Sequence, residues 1–154
     1  MSATPSGDQP HRIVVGVDGS VSSKSALAWA VGQARLTGAV VEAVTAWQFP
    51  NAYGYPMPVL DVNLEEVAIK VVKDAIAEVT AGSEAVPIRY KAVEGNAARI
   101  LIDESAGADL LVVGSRGHGG FVEALLGSTG QHAVHYAKCP VVVIRDSVTG
   151  SQQP

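Results

Sequence analysis

Apolar residues follow two rhythms along this chain. Short runs rich in β-branched residues, "RIVVGVD" at 12–18, "AVVEAVTAW" at 39–47, "PIRYKAV" at 87–93, "DLLVVGS" at 109–115 and "PVVVIR" at 140–145, read as strands. The first alternates little, as expected of a strand buried on both faces. Between the runs the spacing becomes helical. Leu27, Ala30, Val31 and Ala34 form a stripe that Ser20 or Ser22 can cap and Gly38 can close. Leu64, Val67, Ala68 and Val71, continued by Ala75 and Val79 as far as Gly82, form a second. Ala97, Ile100 and Leu101 follow a cap at Asn96, and a fourth helix is expected over residues 127–137.

Strands alternating with helices predict an α/β fold, with right-handed crossovers and an open parallel five-stranded sheet covered by helices on both faces. In such sheets ligands sit beyond the carboxyl ends of the strands, where the strand order reverses. The richest glycine and polar chemistry follows the first and fourth strands, at Asp18-Gly19 and from Gly114 to Gly120. If these strands are neighbours, both segments line one crevice.

The connection over residues 48–62 breaks the rhythm, because three prolines and a glycine keep it from regular structure. Loops this long are commonly functional or disordered. Tyr53, Tyr55 and Met57 suit a cover over a site, and a mobile surface excursion is the competing reading.

Length sets the domain count: 154 residues make one ordinary domain, placed at residues 11–146 between polar tails at 1–10 and 147–154 that read as disordered. The net charge of −4 gives no basic stripe for a phosphate backbone, so nucleic acid is not an expected partner. Cys139 is the only cysteine, which excludes an internal disulfide and fits a reducing compartment. The first ten residues lack the charged start and apolar core of a signal peptide, and no run reaches membrane-spanning length. A cytoplasmic protein with no membrane partner is expected.

The stretch "VVGSRGHGGFVEALLGST" at 112–129 holds five glycines. Glycine permits positive φ and close backbone approach at an entropic cost, which a bound ligand can offset. Two common phosphate motifs fail. No Gly-Lys pair exists for a P-loop, and Gly117 and Gly119 are followed by Val122 where a dinucleotide fingerprint needs its third glycine. What stands is Gly114-x-x-Gly117, nine residues, then Gly127-Ser128. Gly114 and Gly117 can turn backbone N–H groups toward phosphate oxygens, and Gly127-Ser128 opens a helix whose positive end favours an anion. Ser128 can donate its hydroxyl to phosphate or act as a helix cap.

In that spacing, and in "IVVGVDGS", "GNAARILIDES", "LLGS" and "CPVVVIR", residues 12–145 resemble the universal stress protein family. The resemblance implies a Rossmann-like fold of the adenine nucleotide alpha hydrolase type, with strand order 3-2-1-4-5. It also implies ATP binding, with Mg²⁺, as a nucleotide-responsive stress or signalling switch. The implied nucleotide site comprises Gly16, Val17, Asp18, Ala46, Gly114, Ser115, Arg116, Gly117, His118, Gly127, Ser128, Thr129 and Gly130. Asp18 would lie near the ribose or a phosphate-bound cation, or serve only its own turn. The backbone around Ala46 would meet adenine. Arg116 and His118 can touch phosphate or face solvent. Thr129-Gly130 stands where tight ATP sites of the family carry an apolar residue and a second hydroxyl, so AMP or cyclic AMP is an alternative ligand. A homodimer through Val141, Val142, Val143 and Ile144 is also implied.

Catalytic alternatives have less to stand on. His132 and His135 share a helix but lack a third ligand for zinc. There is no GxSxG elbow, and Cys139 reads as a small buried hydrophobe. Asp103 and Glu104 are adjacent, so they diverge around a helix and read as a charged face rather than an acid–base pair. Weak ATP hydrolysis or self-phosphorylation is the enzymatic alternative, and a family member acting only through protein contacts is a third.

Overall fold

The apolar runs become five parallel strands in the computed structural model, which describes residues 11–48, 51–52, 55–56, 63–81, 86–115 and 128–145. These are β1 (Arg12–Gly16), β2 (Val40–Trp47), β3 (Ile88–Glu94), β4 (Leu110–Gly114) and β5 (Val141–Ile144). The helices are α1 (Val21–Thr37), α2 (Leu64–Thr80), α3 (Ala97–Glu104) and α4 (Ser128–Tyr136). The sheet runs β3-β2-β1-β4-β5, the expected order.

Side chains alternate across the sheet and divide the core in two. Ile13, Val15, Val17, Val41 and Val112 pack against Leu27, Ala30 and Ala34 of α1 and Val72 and Ala75 of α2. Val14, Val44, Leu111 and Val113 meet Ile100 and Leu101 of α3 and Ala133 of α4. Polar residues fix the helix ends. Ser20, rather than Ser22, caps α1, its Oγ accepting the Ser23 N–H at 3.1 Å. Gly38 closes α1 in the left-handed region at φ 81°, as a residue without Cβ can. The Asn63 and Asn96 side chains cap α2 and α3 by accepting from the Glu66 and Arg99 N–H groups.

Three details depart from the sequence reading. Helix α2 is rotated by about one position, so Val72 is fully buried while Val67 is 49% exposed. The adjacent Val71-Val72 pair left the sequence pattern two ways to draw the stripe, and packing on the sheet selected one. In the connection expected to be irregular, Asn51–Ala52 and Tyr55–Pro56 pair as a two-residue antiparallel ladder. Pro56 pairs with Asn51 at the end of this short ladder. Finally, Glu104 is drawn into a charge cluster described below. The terminal tails lie outside the described residues.

The two sheet edges differ in character. β3 carries Arg89, Lys91 and Glu94 and is exposed at Arg89, Tyr90 and Glu94, whereas β5 carries only valine and isoleucine, all half-buried.

Candidate functional site

Topology fixes where a ligand can enter. β1 pairs directly with β4, Val14 level with Leu111 and Val15 with Val112, and with β2 on its other side. The strand order therefore reverses between β1 and β4, which places the crevice at their carboxyl ends. The strands that lead into the two segments singled out in the sequence are neighbours.

On the β1 side the chain makes a tight, internally bonded turn. Val17 is buried in the core and its N–H donates to the Val44 carbonyl at 2.9 Å, so its backbone marks the last rung before the loop. Gly19 takes φ 84°, a conformation that suits glycine. Asp18 is exposed at the rim, and its Oδ1 accepts the Ser20 N–H at 2.9 Å. The Asp18 N–H in turn donates to Ser23 Oγ at 3.2 Å. The turn role of Asp18 is thus realised.

The two glycines that end β1 and β4 serve close packing. A Cβ at Gly16 would stand 2.7 Å from Leu101 Cδ1, so the Leu101 side chain of α3 would have to shift to admit it. A Cβ at Gly114 would strike Ser22 Oγ and lie 2.7 Å from the Ser22 backbone carbon and oxygen. Among the described residues the positive-φ glycines are Gly19, Gly38, Gly95 and Gly107, and Gly114 is not one of them. Its need for glycine is therefore steric, because it lets the first turn of α1 seat directly on β4. Sequence reasoning named the glycine and gave Ser22 a capping role; the close packing of buried Ser22 on Gly114 is what it missed.

Ser115 is buried at 5% exposure, and its N–H donates to the Ile144 carbonyl at 2.8 Å, tying the end of β4 to β5. Ala46 lies on β2, level with Val93 of β3. Because Gly16 is level with Val44, Ala46 stands two residues beyond the end of β1, at the lip of the same crevice. Ser128 begins α4, Thr129 is half-buried and Gly130 is buried. Arg116, Gly117, His118 and Gly127 lie outside the described residues.

At this end the helix amino ends act beside the exposed Asp18 carboxylate. Neither α1 nor α4 has an acidic residue in its first turn, whereas α2 has Glu65 and Glu66 there. The amino ends of α1 and α4 keep their partial positive charge uncompensated by first-turn carboxylates. Such an arrangement can hold an anion.

Charged side chains gather at the opposite end, a cluster the sequence reading missed. Arg12 Nη1 lies 2.6 Å from Glu42 Oε1, and Nη2 donates to the Glu104 and Ala106 carbonyls, each at 3.0 Å. Lys91 Nζ completes the group, 3.2 Å from Glu104 and 3.7 Å from Glu42. Arg12 thereby satisfies two carbonyls at the end of α3 that the helix itself leaves unpaired. The available signal was Glu42, a lone charge inside an apolar strand. Nearby, the Arg12 backbone N–H donates to Asp109 at 2.7 Å and holds its carboxyl below the ordinary carboxylate value, helped by His11 Nδ1 at 3.3 Å.

The remaining candidates do not assemble a reactive centre. His132 and His135 lie exposed on α4 with their rings 6.2 and 6.1 Å from Tyr136. No group of three His, Cys, Asp or Glu is placed to hold a metal among the described residues. Cys139 is half-buried rather than fully buried, and burial pushes its thiol pKa up, away from the nucleophilic thiolate. No helix among the described residues is long and apolar enough to cross a membrane.

Known proteins share this arrangement. The profile of the universal stress protein family matches residues 10–145. A universal stress protein of Mycolicibacterium smegmatis is 38% identical over 147 residues, covering 87% of this chain and 48% of that protein. One from Mycobacterium tuberculosis is 36% identical over 139 residues, with 88% and 45% covered. The chain thus spans about half the length of the curated relatives it matches. Among solved structures, the universal stress protein UspA from Lactobacillus plantarum superposes with a TM-score of 0.72 at 27% identity, covering 88% of this chain and 97% of the other. A universal stress protein solved in complex with cAMP gives a TM-score of 0.64 at 27% identity, with 87% and 95% covered.

Proposed function

We propose that this chain, which belongs to the universal stress protein family, binds an adenine nucleotide between the carboxyl ends of β1 and β4 and acts as a nucleotide-responsive switch. The observation that carries this reading is the juxtaposition at the strand-order reversal. The Asp18-Gly19 turn follows one of these paired strands and Gly114-Ser115 ends the other, and neither α1 nor α4 has an acid in its first turn. The cAMP complex of a relative at 27% identity supports an adenine ligand in this fold.

In this reading the phosphates meet Gly114, Ser115, Arg116, Gly117, His118, Gly127, Ser128, Thr129 and Gly130. Backbone N–H groups and the Ser128 hydroxyl supply hydrogen bonds to an anion. Asp18 stands with Gly16 and Val17 on the ribose side, and the backbone at Ala46 faces adenine. The preferred ligand is ATP with Mg²⁺, with AMP and cyclic AMP as competitors. Asp18 is the carboxylate available to a phosphate-bound cation, and its Oδ1 already accepts the Ser20 N–H. Magnesium would therefore be held mainly by the phosphates. Its chemistry there is charge neutralisation. Occupancy would be signalled through a homodimer along β5, whose uncharged strand is the bare edge of the sheet. The double length of the relatives is consistent with paired units.

Titration calorimetry of nucleotide-free protein with ATP plus Mg²⁺, AMP and cyclic AMP tests the site. Ser128→Ala should weaken the preferred nucleotide about tenfold, the scale of one hydrogen bond to a charged group. Gly114→Ala is a poor control, because it disturbs the α1 contact before it touches a ligand. No heat with any adenine nucleotide would overturn the reading.

A further inference from the structure

Helices α2 and α3 treat the same charge spacing differently. On α2, Lys70 and Asp74 stand one turn apart and close on each other, Nζ to Oδ2 at 2.8 Å. On α3, Arg99 and Asp103 also stand one turn apart and stay open: among the described residues neither side chain has a hydrogen bond or ion pair. The surface between this pair and α4 is hollowed into a groove of about 390 Å³, within the range of small-molecule sites. The half-buried Ala98 and Ile102 give the groove its apolar lining, and the exposed Asn96, Arg99, Asp103 and His132 its polar margin. Its two walls are fixed by the fold. Ala133 of α4 packs with Ile100 and Leu101 of α3. The fully buried Ser105 ties the far end of α3 to the segment after α4, its Oγ donating to the Ile102 carbonyl at 2.6 Å and accepting the Lys138 N–H at 2.8 Å.

We propose that this groove binds a free α-amino acid with an apolar side chain. Such a ligand carries a carboxylate and an ammonium on one carbon. Side chains one turn apart on a helix have their Cβ atoms about 5–6 Å from each other. A head group with both charges therefore fits between Arg99 and Asp103, where a single ion would satisfy only one of them. The planar guanidinium can take the carboxylate through two parallel hydrogen bonds, and the Asp103 carboxylate can accept from the ammonium. Ala98 and Ile102 then meet the ligand's side chain, with the His132 imidazole, its ring 6.2 Å from that of Tyr136, on the α4 side. The two α3 charges cancel, so a phosphate is attracted by one and repelled by the other, and the inference stands apart from the nucleotide reading. Solvent weakens ion pairs at an open margin, which sets the dissociation constant at about 1 mM.

Heteronuclear NMR titration of the full chain with L-phenylalanine, L-leucine, phenylpropionate and phenethylamine tests both the place and the chemistry. Both amino acids are expected to shift the amides of Asn96, Arg99, Asp103 and His132 in a saturable way. Phenylpropionate and phenethylamine keep one charge each and should bind about fivefold more weakly than L-phenylalanine, the upper scale of an exposed ion pair. Arg99→Gln and Asp103→Asn replace exposed, unpaired side chains and preserve the fold, and each should weaken L-phenylalanine by about the same factor. Three results would each overturn the proposal: no saturable shift by roughly 10 mM ligand, a single-charge analogue that binds as tightly as L-phenylalanine, or variants that bind it as the wild type does.

Discussion

The two ends of the sheet are built from different chemistry. At the amino end, Arg12, Glu42, Lys91 and Glu104 neutralise one another, and Asp109 takes the Arg12 backbone N–H. At the carboxyl end of β1 and β4 the chain places glycines and serines, and tight backbone approach replaces ion pairs. The amino end consumes its polar groups in holding the fold. The described carboxyl end of the same strands has a turn of hydroxyl, carboxylate and N–H groups from Asp18 to Ser23, and neither α1 nor α4 has an acid in its first turn.

The most damaging change should come at the carboxyl end. Gly114→Val forces a branched side chain onto the Ser22 backbone, which cannot step aside as a flexible side chain could, and should cost about 3 kcal/mol. Urea unfolding followed by circular dichroism would measure it. A loss under 1 kcal/mol would mean that α1 can slide away from β4, and the contrast between the ends would weaken. Arg12→Ala removes the amino-end hub, leaving Glu42 half-paired and two α3 carbonyls to water, for a loss of about 2 kcal/mol. Nucleotide affinity should stay within twofold of wild type in that variant if the two ends are separable.

The smallest effect concerns pH. Asp109 has its folded-state pKa lowered from 3.8, chiefly by the Arg12 backbone hydrogen bond. A depressed carboxylate contributes stability above its unfolded pKa and loses that contribution as pH falls through the folded value. The wild-type urea midpoint should therefore fall more steeply than that of Asp109→Asn as pH is lowered below about 4. Parallel curves would show that the Arg12–Asp109 contact adds nothing.

Much of this was legible beforehand. The five apolar runs and four helical stripes became the five strands and four helices within a residue or two at each end, because burial on a two-faced sheet imposes both periods directly. The crevice was legible too, since the glycine motif and the Asp18 turn follow strands that the fold makes neighbours. What escaped was relational. Val67 and Val72 exchange roles according to how α2 rolls on the sheet. Glu104 is an ordinary helix-surface acid until Lys91 and Arg12 arrive from two other elements. Gly114 looked like a phosphate ligand by composition, yet its need for glycine comes from Ser22, a residue 92 positions away.

The unlike edges of the sheet also set a limit on growth. A strand with Arg89, Lys91 and Glu94 discourages another backbone from aligning beside it, whereas the charge-free β5 offers no such discouragement. With the β5 pairing proposed above, both outer margins of the doubled sheet would be β3 edges carrying these charges, which disfavour the addition of a further strand.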